Sequence, residues 1–497
     1  MCPPISRTTR AFGTLGEVET KDTVTPPKVG KIDSFFQITE RGSTFSREIR
    51  GGFVTFFAMA YILVINPIVL STALPSDGSI SITAIAAGTS LIAGLTTILM
   101  GVVANYPLAL AAGMGLNAMV SFTLVVGSHL TFQEAMGLIF WEGVLITILV
   151  LTGFREAIFS AVPNQLKTSI SVGIGLFIAF VGLLNAGVIR PGSGVPVELG
   201  VHGSLAGWPA LVFVVGLFLT IILYVRKVKG AILIGIVTST TLAVLIQLVA
   251  KLGPKSEDNP TGWGVSVPEI KGNIVSLPDF SSLGQVDFFG AFHKLGPLAV
   301  VLLVFSLMLA DFFDTMGTMV AIGSEAGLLD KTGTPPRTRQ ILLIDSLSAI
   351  AGGLGGVSSN TSFVESSAGV GEGARTGFAN VVTGGLFLLS IFFAPLVQLV
   401  PTEAASTALV FVGFLMMSQV ASIKWSDPRI AIPAFMTIAF MPFAYSISVG
   451  IGAGFIAYIV ANLDNKKNRI HPLMWVIGIL FAIYFMLGPI QSLLGVS

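Results

Sequence analysis

The stretch 355-GGVSSNTSFVESSAGVG-371 is the most informative part of the chain, because Gly, Ser and β-branched residues interrupt a long apolar region there. It is too short and too irregular to cross a membrane as one regular helix. At that depth, backbone that is not helical is tolerated only where it is buried in protein or lines a cavity. We therefore expect residues 357–363 to be extended chain that leads into a half-helix starting near Glu365.

A second stretch has the same pattern in the first half of the chain. Residues 113–116 are Gly-rich and lead into a predicted helix near Asn117, as 352–356 precede Asn360. Interrupted helices at corresponding positions of two halves are the usual sequence sign of a binding site at the middle of the membrane.

The composition requires a membrane around most of the chain. Of the 497 residues, 53% are hydrophobic and only 11% are charged, whereas soluble domains have about 25% charged residues. A hydrocarbon core is crossed by about 20 apolar residues in a helix, and such stretches recur from residue 50 onwards. The net charge of +1, spread over scattered loops, excludes a nucleic-acid partner.

Fourteen apolar segments are predicted, in two series of seven, so the fold class is an all-α polytopic membrane protein. The first series is 51–74, 82–104, 107–126, 132–151, 169–188, 208–225 and 231–249. The second is 296–323, 341–356, 357–371, 377–399, 404–420, 430–447 and 450–463. The run 473–487 is either a further span or a helix that lies at the interface.

Alternate loops are rich in Lys and Arg, and such loops stay on the cytoplasmic side. The prediction is a multi-pass protein of the plasma membrane with both ends of the fourteen-segment unit in the cytoplasm. Its parts are a cytoplasmic tail (1–49), a first repeat (50–250), an extracytoplasmic loop (251–294), a second repeat (295–463), and a basic linker with a C-terminal hydrophobic helix (464–497). Because seven is odd, the two repeats would have opposite polarity, which defines a 7+7 inverted repeat.

Five acids fall inside the predicted segments, without a Lys or Arg at comparable depth: Glu142, Asp311, Asp314, Asp345 and Glu365. An ionisable group at that depth is costly and marks a functional site by default. Asp311, Asp314 and Thr318 are three or four residues apart, so they share one helical face. We expect Asp311 either to join Asp314 and Glu365 in proton coupling or to serve in helix packing.

The candidate binding groups suit a small planar ligand with several N–H donors and a carbonyl. Ionised Asp314 and Glu365 accept hydrogen bonds, and Asn117 can both donate and accept. The predicted substrate site adds Thr318, Ser366, Asn360 and Phe363. Asn360 is also compatible with a turn, and Phe363 with packing rather than stacking.

Several other classes lack their signatures. The four histidines fall in predicted loops or helix ends, and Cys2 is the only cysteine, so we expect no metal site and no cofactor. There is no phosphate-binding loop for ATP, and the patterns typical of intramembrane aspartyl proteases are absent. The chain is therefore predicted not to be an enzyme. The oligomeric state stays open, including a homodimer.

Several strings resemble the AzgA-like purine permeases of the nucleobase:cation symporter-2 (xanthine/uracil permease) superfamily. They are 36-FQITERGST-44, 48-EIRGGF-53, 58-AMAYILVINP-67, 312-FFDTMGT-318, 365-ESSAG-369 and 373-GARTG-377. The similarity extends from about residue 35 to the C-terminus.

This resemblance implies a core of helices one to four and eight to eleven, with a gate formed by the remaining helices. It also implies proton symport of adenine, guanine or hypoxanthine, with Asp314, Glu365 and Asn117 at the motif positions of the family's site residues. Related xanthine and uracil permeases have Asn after the acid or Gln of the tenth helix, where this chain has Ser366. That difference favours the AzgA-like branch over a xanthine or uracil transporter. An anion transporter on the same architecture is the other alternative, and two acids at the site argue against it.

Overall fold

A computed structural model of the protein describes residues 30–75, 77–152, 162–192, 195–201, 203–256, 259–264, 266–269, 275–331, 334–464 and 470–486. The predicted tail up to residue 29 with Cys2, the linker 465–469 and the end of the last apolar run lie outside the described residues.

The first half of the described chain is helical, with one short strand inside the membrane-spanning region. Its helices are α1 Lys31–Phe36, α2 Phe45–Met59, α3 Ile62–Leu70, α4 Ile82–Leu99, α5 Met114–Ala118, α6 Phe132–Thr152, α7 Asn164–Asn185, α8 Trp208–Val225 and α9 Ala231–Ala250. Strand β1 is Leu110–Ala112, and a small surface hairpin is formed by β2 Ile189–Arg190 and β3 Glu198–Leu199. Two wider π-helical turns, Met100–Ala104 and Met119–Gly127, extend α4 and α5.

The second half is also helical, with one short strand. It contains α10 Gly290–Leu295, α11 Pro297–Ala326, α12 Thr338–Gly355, strand β4 Asn360–Ser362, α13 Ser366–Gly371, α14 Phe378–Ser390, α15 Thr402–Met417, α16 Pro428–Phe443, α17 Ile447–Ala461 and α18 Pro472–Phe485. Tighter 3-10 turns, Ile391–Leu399 and Ser418–Ser422, extend α14 and α15.

The described residues form a helical polytopic membrane protein. Nine helical stretches among them are long and apolar enough to cross a membrane: Phe45–Ala73, Ile82–Ala104, Phe132–Thr152, Asn164–Asn185, Trp208–Val225, Ala231–Ala250, Pro297–Ala326, Phe378–Leu399 and Thr402–Ser422. Four shorter apolar helices accompany them: Met114–Gly127, Pro428–Phe443, Ile447–Ala461 and Pro472–Phe485. The last of these packs on α17 through Phe481 and Phe455, whose ring centroids are 6.2 Å apart.

Helices α7 and α15 pack closely because each has a glycine where the two backbones meet. A β-carbon at Gly175 would lie 2.7 Å from the Gly413 carbonyl oxygen, and one at Gly413 would lie 2.5 Å from the Gly175 carbonyl oxygen. Small residues at such contacts let membrane helices approach each other.

One predicted boundary is wrong. The extended chain of the first half is Leu110–Ala112 rather than 113–116, since α5 already begins at Met114. The first segment is one continuous helical stretch, Phe45–Ala73, as predicted, with a tighter turn at residues 60–61 between α2 and α3. In the second half, Asn360–Ser362 is extended and α13 begins after Glu365, as predicted.

Candidate functional site

Strands β1 and β4 pair antiparallel in the protein interior, with Leu110 opposite Ser362 and Ala112 opposite Asn360. The pairing continues beyond them, because Gly113 N donates to Ser359 O at 2.9 Å and Phe363 N donates to Ala109 O at 3.0 Å. All six strand residues are buried. Each strand thus pairs with the backbone N–H and C=O groups of the other, so non-helical chain is tolerated at this depth.

A cavity of about 1040 Å³ lies beside this strand pair. Its walls come from α2, α5, α7, the α8–α9 linker, α11, β4, α13 and α15 with its extension. Ligand pockets commonly measure about 300–1,000 Å³, so the cavity has room for a small planar ligand together with water.

Two predicted acids face this cavity, and they come from different parts of the chain. Asp314 in the middle of α11 is exposed to it, and half-buried Glu365, the residue before α13, lines it as well. Glu365 accepts a hydrogen bond of 2.6 Å from the buried Tyr61 hydroxyl, which lies at the tighter turn between α2 and α3. Two carboxyls therefore line one cavity, and a buried hydroxyl donates to one of them.

Thr318 and Thr361 also line the cavity. Thr318 lies one turn after Asp314, as the four-residue spacing predicts. The Thr361 hydroxyl is 2.8 Å from the Thr315 hydroxyl and so links β4 to α11. Asp314, Thr318 and Glu365 are the predicted site residues that the structure brings together on the cavity wall.

The other predicted substrate residues lie in the strand pair and its flanks rather than on the cavity wall. Ser366 Oγ accepts a hydrogen bond of 2.9 Å from Ala109 N, and Phe363 is 6% exposed, so both are engaged in the fold. Asn117 and Asn360 are fully buried, and their amide N and O atoms have no hydrogen-bond partner in the described structure. A buried amide without partners is costly, so these two side chains are suited to receive a polar ligand or water.

The remaining intramembrane acids are buried away from the cavity. Glu142 on α6 accepts a weak hydrogen bond of 3.5 Å from Ser359 Oγ, and Asp345 on α12 accepts one of 2.9 Å from Ser362 Oγ. Asp311 is fully buried, and neither carboxyl oxygen has a hydrogen-bond partner among the described atoms. These acids therefore support the back of the strand pair, and Asp311 lies one turn from Asp314 without reaching the cavity wall.

Three residues of the site were not predicted from the sequence. Tyr61 belongs to an apolar string, Thr361 stands in a Ser/Thr-rich run, and Lys167 was placed in a loop, yet Lys167 and Thr361 line the cavity and Tyr61 binds Glu365. Lys167 lies in the first turn of α7, where its Nζ donates to Asn164 Oδ1 at 3.2 Å. Tyr61 is the one side chain of 58–63 with a hydrogen-bonding group, which offered a weak signal; for Lys167 there was none.

The described histidines are remote from the cavity. His129 follows α5, His293 lies in α10 and His471 precedes α18, while His202 is outside the described residues. Within the described ranges, no group of three or more His, Cys, Asp or Glu side chains is arranged to hold a metal ion.

The fold and the cavity define a class of protein, a polytopic membrane permease. The chain belongs to the family described as "Permease family" (Xan_ur_permease), whose model matches residues 46–453. It is 38% identical to the guanine/hypoxanthine permease PbuG of Bacillus subtilis, over 91% of this chain and 99% of that one. It is 37% identical to the adenine permease AdeP of Escherichia coli, over 91% of this chain and 96% of that one. These relatives are transporters, not enzymes.

Solved structures with a similar fold include more distant transporters. The transmembrane domain of the cyanobacterial bicarbonate transporter BicA matches with a TM-score of 0.58 and 14% identity, over 82% of this chain and 97% of that one. SLC26A9 matches with a TM-score of 0.60 and 10% identity, over 93% of this chain and 74% of that one. At this identity the likeness concerns the fold alone.

Proposed function

We propose that the protein imports purine nucleobases, namely hypoxanthine, guanine or adenine, by proton symport. The observation that carries the proposal is the pair of carboxyls, Asp314 and Glu365, in one cavity beside two interrupted helices. Carboxylates accept hydrogen bonds, so the cavity suits a ligand with several N–H donors, and two acids disfavour an anion. The names of the relatives, guanine/hypoxanthine and adenine permeases, agree with this chemistry.

Proton coupling follows from the like charges. Two carboxylates in one cavity repel each other, and a proton on one of them removes the repulsion. The base would then bind through its N–H groups to the ionised carboxyl and through an acceptor atom to the protonated one, with Thr318 beside them. Substrate and proton would each favour the binding of the other.

Asn117 and Asn360 are proposed to complete the site at another stage of the cycle. Their amides have no partner in the described structure, and in the chain they are within four residues of Gly113, Gly115 and Thr361, which line the cavity. A small shift of the strand pair would bring an amide to the bound base. Ser366 would hold β1 through Ala109, and Phe363 would pack behind it. Asp311 would then be a further proton acceptor behind Asp314.

A 7+7 inverted repeat is proposed for the architecture, and the helix pairs support it. If α2–α3 to α9 count as segments one to seven and α11 to α17 as eight to fourteen, segment two packs on eleven (α4 on α14) and nine packs on four (α12 on α6). Three pairs with ten (β1 with β4), and five packs on twelve (α7 on α15). These pairs map onto each other when the halves are exchanged.

The substrate would cross by alternating access. The cavity lies between the proposed core (segments one to four and eight to eleven) and the proposed gate, which contributes α7, the α8–α9 linker and α15. Lys167 and Gln419 line the cavity at the ends of gate helices. The Lys and Arg pattern of the loops predicts that these helix ends face the cytoplasm. The described state would thus open inwards, with the N-terminus cytoplasmic.

Uptake of labelled bases into proteoliposomes tests this function. Hypoxanthine, guanine, adenine, xanthine and uracil are supplied with and without an inward proton gradient. We expect accumulation of at least one of the three purines that collapses when a protonophore is added. Uptake of bicarbonate or sulfate, with none of any base by folded protein, would contradict the proposal and support an anion transporter.

A further inference from the structure

The Tyr61 hydroxyl of the first membrane segment has no role in the transport scheme so far. The backbone of Tyr61 is helical, at a tighter turn between α2 and α3, and the residue is 1% exposed. The string 58–67 that contains Tyr61 is one of those that resemble the family. A buried polar group needs a hydrogen-bond partner, so the partner of this hydroxyl is informative.

The Tyr61 phenol is directed at one carboxyl of the site. Its hydroxyl donates to Glu365 Oε1 at 2.6 Å across a sequence separation of 304 residues. This length is typical of a hydrogen bond between a hydroxyl and an ionised carboxyl. Such a donor favours the charged form of its acceptor.

Asp314 has no comparable partner. It shares the cavity with Glu365, and no donor of the described chain hydrogen-bonds to its carboxyl group. The titratable and charged side chains around the two acids are Tyr61 between α2 and α3, Asp311 on α11, Tyr224 on α8 and Lys167 on α7. Asp311 is another acid, and Lys167 is hydrogen-bonded to Asn164 at the end of α7. The hydrogen bond from Tyr61 therefore distinguishes Glu365 from Asp314.

We propose that Tyr61 is a positioning residue that holds Glu365 in its ionised form, so that Asp314 carries the coupling proton. This division of roles rests on the proposed proton-coupled import of purines. Glu365 then accepts the N–H groups of the base, while protonated Asp314 donates to an acceptor atom. The proton binds Asp314 from one side of the membrane and leaves it on the other, without any covalent step.

The substitution Tyr61→Phe removes the donor and keeps the ring. Uptake of hypoxanthine should decrease at low pH, where Glu365 becomes protonated; we call this decrease the acid limb of the pH profile. Without the phenol, the acid limb should move to higher pH by about one unit, which is a tenfold change in the proton affinity of Glu365. Tyr106→Phe is the matched control, because it removes a buried hydroxyl that donates to Met319 O at 2.7 Å and does not line the cavity. It should leave the limb in place.

The result that overturns the proposal is a Tyr61→Phe profile with the wild-type acid limb, or a shift equal to that of Tyr106→Phe. If wild-type protein takes up no purine, the proposed function itself has failed, which is a separate outcome.

A second measurement is independent of the folding of Tyr61→Phe. Infrared difference spectra on addition of hypoxanthine should contain a protonated-carboxyl band that Asp314→Asn abolishes and Glu365→Gln retains. The opposite pattern would assign the proton to Glu365 and overturn the proposal.

Discussion

Asp314 and Glu365 differ from the other intramembrane acids in one respect, which is that they face the cavity. Glu142, Asp311 and Asp345 are buried behind the strand pair. The sequence identified all five acids from their depth and assigned Asp314 and Glu365 to the substrate site, but it left the role of Asp311 open, because that role depends on which way the helix is turned.

Neutral amides in place of the cavity acids should stop transport. Asp314→Asn and Glu365→Gln each preserve shape but remove a titratable group, so we expect initial uptake rates to fall by more than about tenfold, a barrier change of about 1.4 kcal/mol. Uptake by purified protein in proteoliposomes measures this effect. Glu134→Gln is the control, because it removes a carboxylate that does not line the cavity and that pairs with Lys294 and accepts a hydrogen bond from Thr131 N, which an amide oxygen can also accept. Near-normal uptake by both cavity variants would refute the carboxyl mechanism.

Asn117→Ala tests the unpartnered amide. Since the buried amide has no partner in the described structure, its removal should leave the thermal stability unchanged or slightly higher. If the amide binds the base during the cycle, the apparent KM for hypoxanthine should rise by about tenfold, while the maximal rate changes less. A KM equal to that of the wild type would remove Asn117 from the site.

The helices were predictable from apolar runs to within a few residues, and 208–225 matches α8 fully. The strand at 360–362 was predictable because Gly and Ser/Thr residues there are incompatible with a regular membrane helix. The contact of Tyr61 with Glu365 was not predictable, because the two residues are 304 positions apart and only the folded chain brings them together.

The α7–α15 contact predicts a steric effect at one glycine. Gly413→Leu places a side chain against the α7 backbone, so the helices must separate and the midpoint of thermal unfolding should fall by several degrees. Gly385→Ala on α14 is the matched control, because its β-carbon would meet no atom within 4 Å. Thermal unfolding of both purified variants measures the difference. Equal stability of Gly413→Leu and wild type would show that this contact is not needed.

In an inverted repeat, equivalent positions of the two halves lie on opposite sides of the membrane. Lys227 before α9 and Ala444 before α17 are such positions, and both are exposed. Lys227 has a positive φ, and so has Tyr445, the residue after Ala444. Because Cys2 is the only cysteine, Cys2→Ser provides a cysteine-free background. Lys227→Cys should react with an impermeant maleimide from the cytoplasmic side and Ala444→Cys from the outside. Reaction of both from one side would contradict the inverted repeat.

Proton movement driven by the substrate is the most direct test of coupled purine import. Proteoliposomes that contain a pH-sensitive dye start with equal pH on both sides, and hypoxanthine, guanine or adenine is added outside. We predict acidification of the lumen with at least one of these purines, absent in Asp314→Asn and abolished by a protonophore. Uptake of the same labelled base without any change in luminal pH would show that the carrier is not coupled to protons.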